Sequence, residues 1–96
     1  MTYCSSIVRA VARIIEMEFV FDVLTALTER MPDALAHPSV RELRDSLADY
    51  YGGGEWLSDF TLDERGELPP ALKRGVLSED GVYDLLSEID ALMAEN

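Results

Sequence analysis

The sequence is short of the side chains that usually carry chemistry. It has one cysteine, Cys4, so no internal disulfide can form, and a lone thiol fits a reducing compartment. It has one histidine, His37, set in a proline-flanked connector, and with Cys4 at the far end these two cannot build a four-ligand zinc site. The same scarcity leaves no nucleophile–base–orienter set for covalent catalysis. Lysine is also used once, at Lys73. No apolar run reaches the roughly 18 residues of a membrane span, and the opening MTYCSSIVRAVARIIEMEF lacks a basic leader with a small-residue cleavage site. These absences favour a cytoplasmic protein that is not an enzyme and needs no cofactor or metal. Strand-type alternation, internal repeats and low-complexity tracts are missing too. What remains is an all-α domain.

Positive charge is the other shortage. Eight basic residues face 19 acidic ones, a net charge of −11. The imbalance is concentrated: residues 1–48 carry −2 and residues 49–96 carry −9. Direct binding to nucleic acid or to an anionic membrane is therefore disfavoured, because such binding gains from neutralising phosphates with Lys and Arg. An acidic face suits a basic partner protein instead, or serves solubility alone.

The 96 residues suffice for one domain with one modest core, and 48% hydrophobic content argues against disorder. The first periodic segment spans about 6–30, with Ser5 or Ser6 as its cap. At 100° per residue, Arg9, Arg13 and Glu16 share one side, while Glu18, Asp22, Thr25 and Glu29 share nearly the opposite one. The apolar set shifts to match, from Ile7, Val11 and Ile14 to Val20, Val23, Leu24 and Leu27. Either the helix breaks near Glu16–Glu18, or a straight helix is buried on different sides at its two ends. In the second case Ile7, Val11 and Ile14 expose a self-association stripe; otherwise the N-terminal turns fold over their own core. Met31-Pro32 ends the segment. Ser39 and Glu42 read as a capping box for a helix over 39–51, stopped by Gly52-Gly53-Gly54. A third helix is expected over 55–64 with Trp56, Leu57 and Phe60 inward. A fourth is expected over 79–94, capped by Ser78, with Val82, Leu85, Leu86, Ile89, Leu92 and Met93 as its buried stripe and Asp84, Glu88, Asp90 and Glu95 in water.

The segment Tyr50–Leu86 holds the only Trp, all six glycines and three of four tyrosines. The chain is expected to fold back on itself there around the indole, with Trp56 against Leu43, Leu47 and the last helix. A calcium loop does not fit: with Gly66 sixth, Thr61 falls first and Leu72 twelfth, where carboxylates belong. Gly52-Gly53-Gly54 follows a helix and lacks the downstream Lys-Ser/Thr of a phosphate loop. Lys73-Arg74, the sole basic pair in the acidic half, either anchors a partner's anionic group or, as the favoured reading, ties the loop by salt bridges.

Tyr50-Tyr51, Glu55-Trp56, Gly66-Glu67-Leu68-Pro69 and the run from Leu72 to Gly81 together resemble a bacterial family catalogued only as a domain of unknown function. Arg13-Ile14-Ile15-Glu16-Met17-Glu18 is similar to that family's opening helix, so the resemblance covers about Arg13 to Ile89. Gly53-Gly54 before Glu55, and the short proline-broken link after the first helix, depart from the pattern. The resemblance implies no activity. The leading expectation is a non-enzymatic interaction protein that binds a basic surface of a partner protein, a nucleic-acid-binding protein being one such partner, through Asp49, Glu55, Asp59, Asp63, Glu64 and Glu67, with Lys73 and Arg74 beside them. A specific form is a phage-type inhibitor, such as an anti-CRISPR acting as a nucleic-acid mimic. A structural or regulatory homodimer is the alternative, and an enzyme comes third.

Overall fold

The computed structural model describes residues 5–94 and shows four α-helices in a small bundle with no strand among those residues. They are α1 (Ser5–Arg30), α2 (Pro38–Gly52), α3 (Glu55–Glu64) and α4 (Gly81–Ala94). Two short 3-10 turns, Pro32–Ala36 and Gly75–Leu77, bridge them. The molecule is elongated, 50 × 19 × 18 Å. Its length follows α1, which at 1.5 Å per residue accounts for about 39 Å. Cys4 and Glu95 lie outside the described residues. No helix is long and apolar enough to cross a membrane, among the described residues.

The first correction concerns α1. It is one unbroken helix with a buried seam running its whole length, widened by Glu18 on one flank and by Val20 and Leu27 on the other. Ile7, Ala10, Ile14, Met17, Leu24 and Thr28 are buried, with Phe21 half-buried between the last three. The spacing alternates three and four, one continuous seam. Ile7 and Ile14 are therefore interior residues and Val11 packs against the core, so the exposed stripe expected at these three positions is absent. Two polar side chains hid the seam. Thr28 turns its hydroxyl back to the Leu24 carbonyl at 2.7 Å, and Glu18 is buried with its carboxylate accepting the Val76 N–H at 2.8 Å. Both enter the interior with a hydrogen-bond partner.

The remaining helices begin and end close to expectation, with different caps. Helix α2 starts at Pro38, whose missing N–H costs nothing in the first turn. Its cap is the His37 ring, whose Nδ1 accepts the Ser39 N–H at 3.1 Å, so Ser39 is a donor here and not the capping acceptor. Gly54 enters α3 at φ 98°, a left-handed geometry that any side chain would strain. Helix α4 starts at Gly81, two residues late, because Ser78 instead closes the Gly75–Leu77 turn by donating its N–H to the Gly75 carbonyl. Leu57 is exposed, contrary to the inward position expected for it.

Trp56 sits in the core with Leu47, Val82, Leu85 and Ile89, and Leu43 packs against that cluster. Tyr51 meets the indole edge-on at 5.1 Å and Phe60 stacks on it at 5.0 Å. The indole Nε1–H donates to the Val76 carbonyl at 2.8 Å. The same residue, Val76, thus gives its N–H to α1 and its carbonyl to α3, pinning the Gly75–Leu77 turn between the two helices.

Candidate functional site

The acidic stretch Asp49–Glu67 divides into charges the fold consumes and charges it leaves in water. Asp59 is fully buried, at 0% exposure. Arg13 of α1 grips it with two bonds, Nε to Oδ2 at 2.9 Å and Nη2 to Oδ1 at 2.5 Å. The Tyr50 hydroxyl donates to Oδ2 at 2.7 Å. A bidentate guanidinium plus a phenol saturates the carboxylate, which is how a buried anion becomes tolerable. The bonds to Asp59 raise the Arg13 pKa. Burial, followed by the bond to the Asp59 carboxylate, pushes the Tyr50 phenol far above its ordinary value of 10.0. Glu55 reaches the same guanidinium only loosely, at 3.5 Å, and is exposed.

Asp63 is half-buried and taken by Arg74. Arg74 also donates to the carbonyls of Pro69 and Leu72, at 2.6 and 3.2 Å, closing the loop that carries both prolines. The structural role favoured for Arg74 is the one it has. Lys73 stays 78% exposed and lies 3.5 Å from Asp22 of α1. Asp59 is therefore removed from the expected partner-binding set, since no partner can reach it, and Asp63 is largely neutralised. Asp49, Glu64 and Glu67 remain exposed, Glu67 with a loose contact of 3.9 Å to Arg65. Asp90, expected free in water on α4, is exposed but held from α2 by Arg44 at 2.8 and 2.9 Å. Burial pulls the Arg44 guanidinium down, and the bonds to Asp90 outweigh it to leave its pKa raised.

A more continuous acidic surface lies on the water face of α4, joined there by an acid of α1. Asp80, Asp84 and Glu88 follow one another at intervals of four, and the Asp80 carbonyl accepts the Asp84 N–H to begin the helix. Asp84 and Glu88 border a groove of about 220 Å³ between α1 and α4, and Glu29 of α1 borders it from the other side. All four are exposed, and none is in an ion pair among the described residues. Like charges at i,i+4 destabilise a helix by about 0.2–0.5 kcal/mol per pair. Glu29 was the missing signal, since only the packing of α1 on α4 brings it beside residues more than fifty positions away.

Among the described residues, no group of three or more His, Cys, Asp or Glu is gathered as metal ligands would be. The clefts are open and shallow. The one of about 470 Å³ over Arg13, Tyr50 and Glu55 exposes only the outer edge of the saturated Asp59 network.

Fold and surface together define a small, acidic, all-α protein whose buried ion pairs serve its architecture. The chain belongs to the family described as a domain of unknown function, DUF4298, whose profile matches residues 14–96. Neither a curated protein nor a solved structure matches the chain.

Proposed function

We propose that this chain is a non-enzymatic interaction protein that docks exposed carboxylates on a basic surface of a partner protein. One observation carries the reading. The fold pairs Asp59 and Asp63 with arginines, yet keeps Asp80, Asp84, Glu88 and Glu29 exposed and clustered without a counter-cation among the described residues, a repulsive arrangement that a basic partner relieves. Asp49, Glu55, Glu64 and Glu67 extend the negative potential elsewhere on the surface. The narrower form, a phage-type inhibitor or anti-CRISPR that mimics nucleic acid, has a thinner basis. A charge every four helical residues comes to about one per 6 Å. A nucleic-acid strand carries about one per 3.4 Å, so the α4 ridge has roughly half its linear charge density.

The test is affinity capture from the native host with the full chain as bait, followed by elution with rising salt. A basic protein released steeply by salt is expected, since exposed charges are screened beyond about 8–10 Å at physiological ionic strength. The double reversal Asp84→Lys, Glu88→Lys should lose at least about tenfold in affinity through a slower on-rate, while stability stays within about 0.5 kcal/mol of wild type because both sites are exposed. A partner that binds the reversed protein as well as wild type shows that the acids only confer solubility.

A further inference from the structure

Helix α1 has a second seam, on the side away from the core. Val8, Ile15 and Phe19 are 56%, 57% and 66% exposed, and Ala12 and Ala26 lie exposed on the same line. At 100° per residue these five fall within an arc of about 60°, opposite the buried face. Their spacing alternates four and three, interrupted only by Asp22. Such a narrow stripe is the pattern of a coiled-coil seam, not of a helix covered on one side by its own domain.

We propose that the occupant is a second copy of this chain, packed antiparallel on the outer face of α1 with the two-fold axis between residues 13 and 14. This surface is independent of the acidic one proposed above. Charge and size select the register. With Ile15 over the partner copy's Ala12, Phe19 falls over Val8, and the two-fold repeats both layers, each pairing a larger side chain with a smaller one. In that register the residues flanking the seam on one side are Glu16 of one copy and Arg9 of the other, twice. Both are exposed and neither is in an ion pair among the described residues. Sliding one heptad either way sets Arg9 against Arg9, or Glu16 against Glu16. A parallel pair sets Asp22 against Asp22 inside the seam. Only the chosen register avoids like charges, and it carries Asp22 out to face Ser5. On the other flank Ala71 and Leu72 border Ile15 and Phe19 in a trough of about 400 Å³, which the Asp22–Lys73 pair and Glu18 also line.

Sedimentation equilibrium of the full chain should give twice the 10.7 kDa chain mass. Phe19→Asp, at a position already exposed, should keep the helical spectrum and raise the dissociation constant by at least about a hundredfold, since two phenyl rings per dimer lose their cover. Arg9→Glu and Glu16→Arg should each weaken the dimer, and together restore it. A spin label at Arg30→Cys in a Cys4→Ser background reads direction: the antiparallel pair separates the labels by about 50 Å along the axis, a parallel one by about 10 Å. Raised salt should leave the dimer standing while it strips a partner from the acidic surface, so the two proposals fail separately. A wild-type monomer up to about 1 mM, the range of weak association, overturns the inference. So does a dimer indifferent to Phe19→Asp. Failure of the charge swap to rescue, or a short label distance, overturns the antiparallel register.

Discussion

Asp59 shows how little a carboxylate's identity says about its role. Its neighbour in sequence, Glu64, has the same charge and stands in water, while Asp59 is sealed beneath Arg13 and Tyr50. Asp59→Ala should cost about 2–4 kcal/mol, because the buried Tyr50 hydroxyl loses its acceptor and Arg13 its partner. Glu64→Ala should stay within about 0.5 kcal/mol of wild type. Urea midpoints of the two variants check this; equal midpoints would mean the network is dispensable. Tyr50 adds a pH signature. Its folded pKa is raised above 10.0, so its contribution is fully present below pH 10. Above that, the phenol ionises in the unfolded chain while the folded one stays protonated, and stability falls by about 1.4 kcal/mol per pH unit. Urea melts between pH 8 and 11 should show this slope, and Tyr50→Phe should lose that component. A slope unchanged in Tyr50→Phe would place its origin in other groups.

Among the elements, α2 owes its start to an imidazole. The His37 cap is exposed, so replacing it should cost only the usual value of a solvated cap: about 0.5–1 kcal/mol for His37→Ala, recovered in His37→Asn. Thermal melts of the two variants measure the difference. Helix α1 is the element that organises the rest. It supplies Arg13 to Asp59 of α3, Glu18 to Val76 and Asp22 to Lys73, so three polar ties fix α3 and the Gly/Pro-rich loop to its side. One helix thereby holds the aromatic segment that the sequence packs with glycine. Trp56 is the hub of that segment, and α1 is its wall.

For the molecule as a whole, the balance of −11 is a standing cost. Exposed acids repel across a body only 18–19 Å thick, and the attractive surface pairs are few. The melting temperature should therefore rise between about 20 mM and 0.5 M salt, as screening shortens from tens of ångströms to a few. A falling melting temperature would show that ion pairs such as Arg44–Asp90 outweigh the repulsion.

The helices were legible in the sequence because turn-formers bracket them: Pro32 and Pro38, the triple glycine, and the glycines and prolines from 66 to 81. The stripe Val82–Leu85–Ile89 was legible because its apolar residues are large and Asp84, Glu88 and Asp90 all lie off it. The inner seam of α1 was not. Ala10 registers weakly as apolar, and Glu18 and Thr28 read as surface residues until their partners are known. Its outer seam was missed for the converse reason, since Val8, Ile15 and Phe19 look like core in a chain where periodicity alone cannot say which apolar face is covered. The sorting of the carboxylates was likewise invisible, because a local pattern reports charge while burial and pairing depend on residues 46 positions away, as with Arg13 and Asp59. By itself the sequence determined an all-α, acidic chain with its breaks in place, since those follow from backbone preferences and composition. Only the tertiary structure decided which acids are architecture and which face outward, because a charge's energy is set by its surroundings.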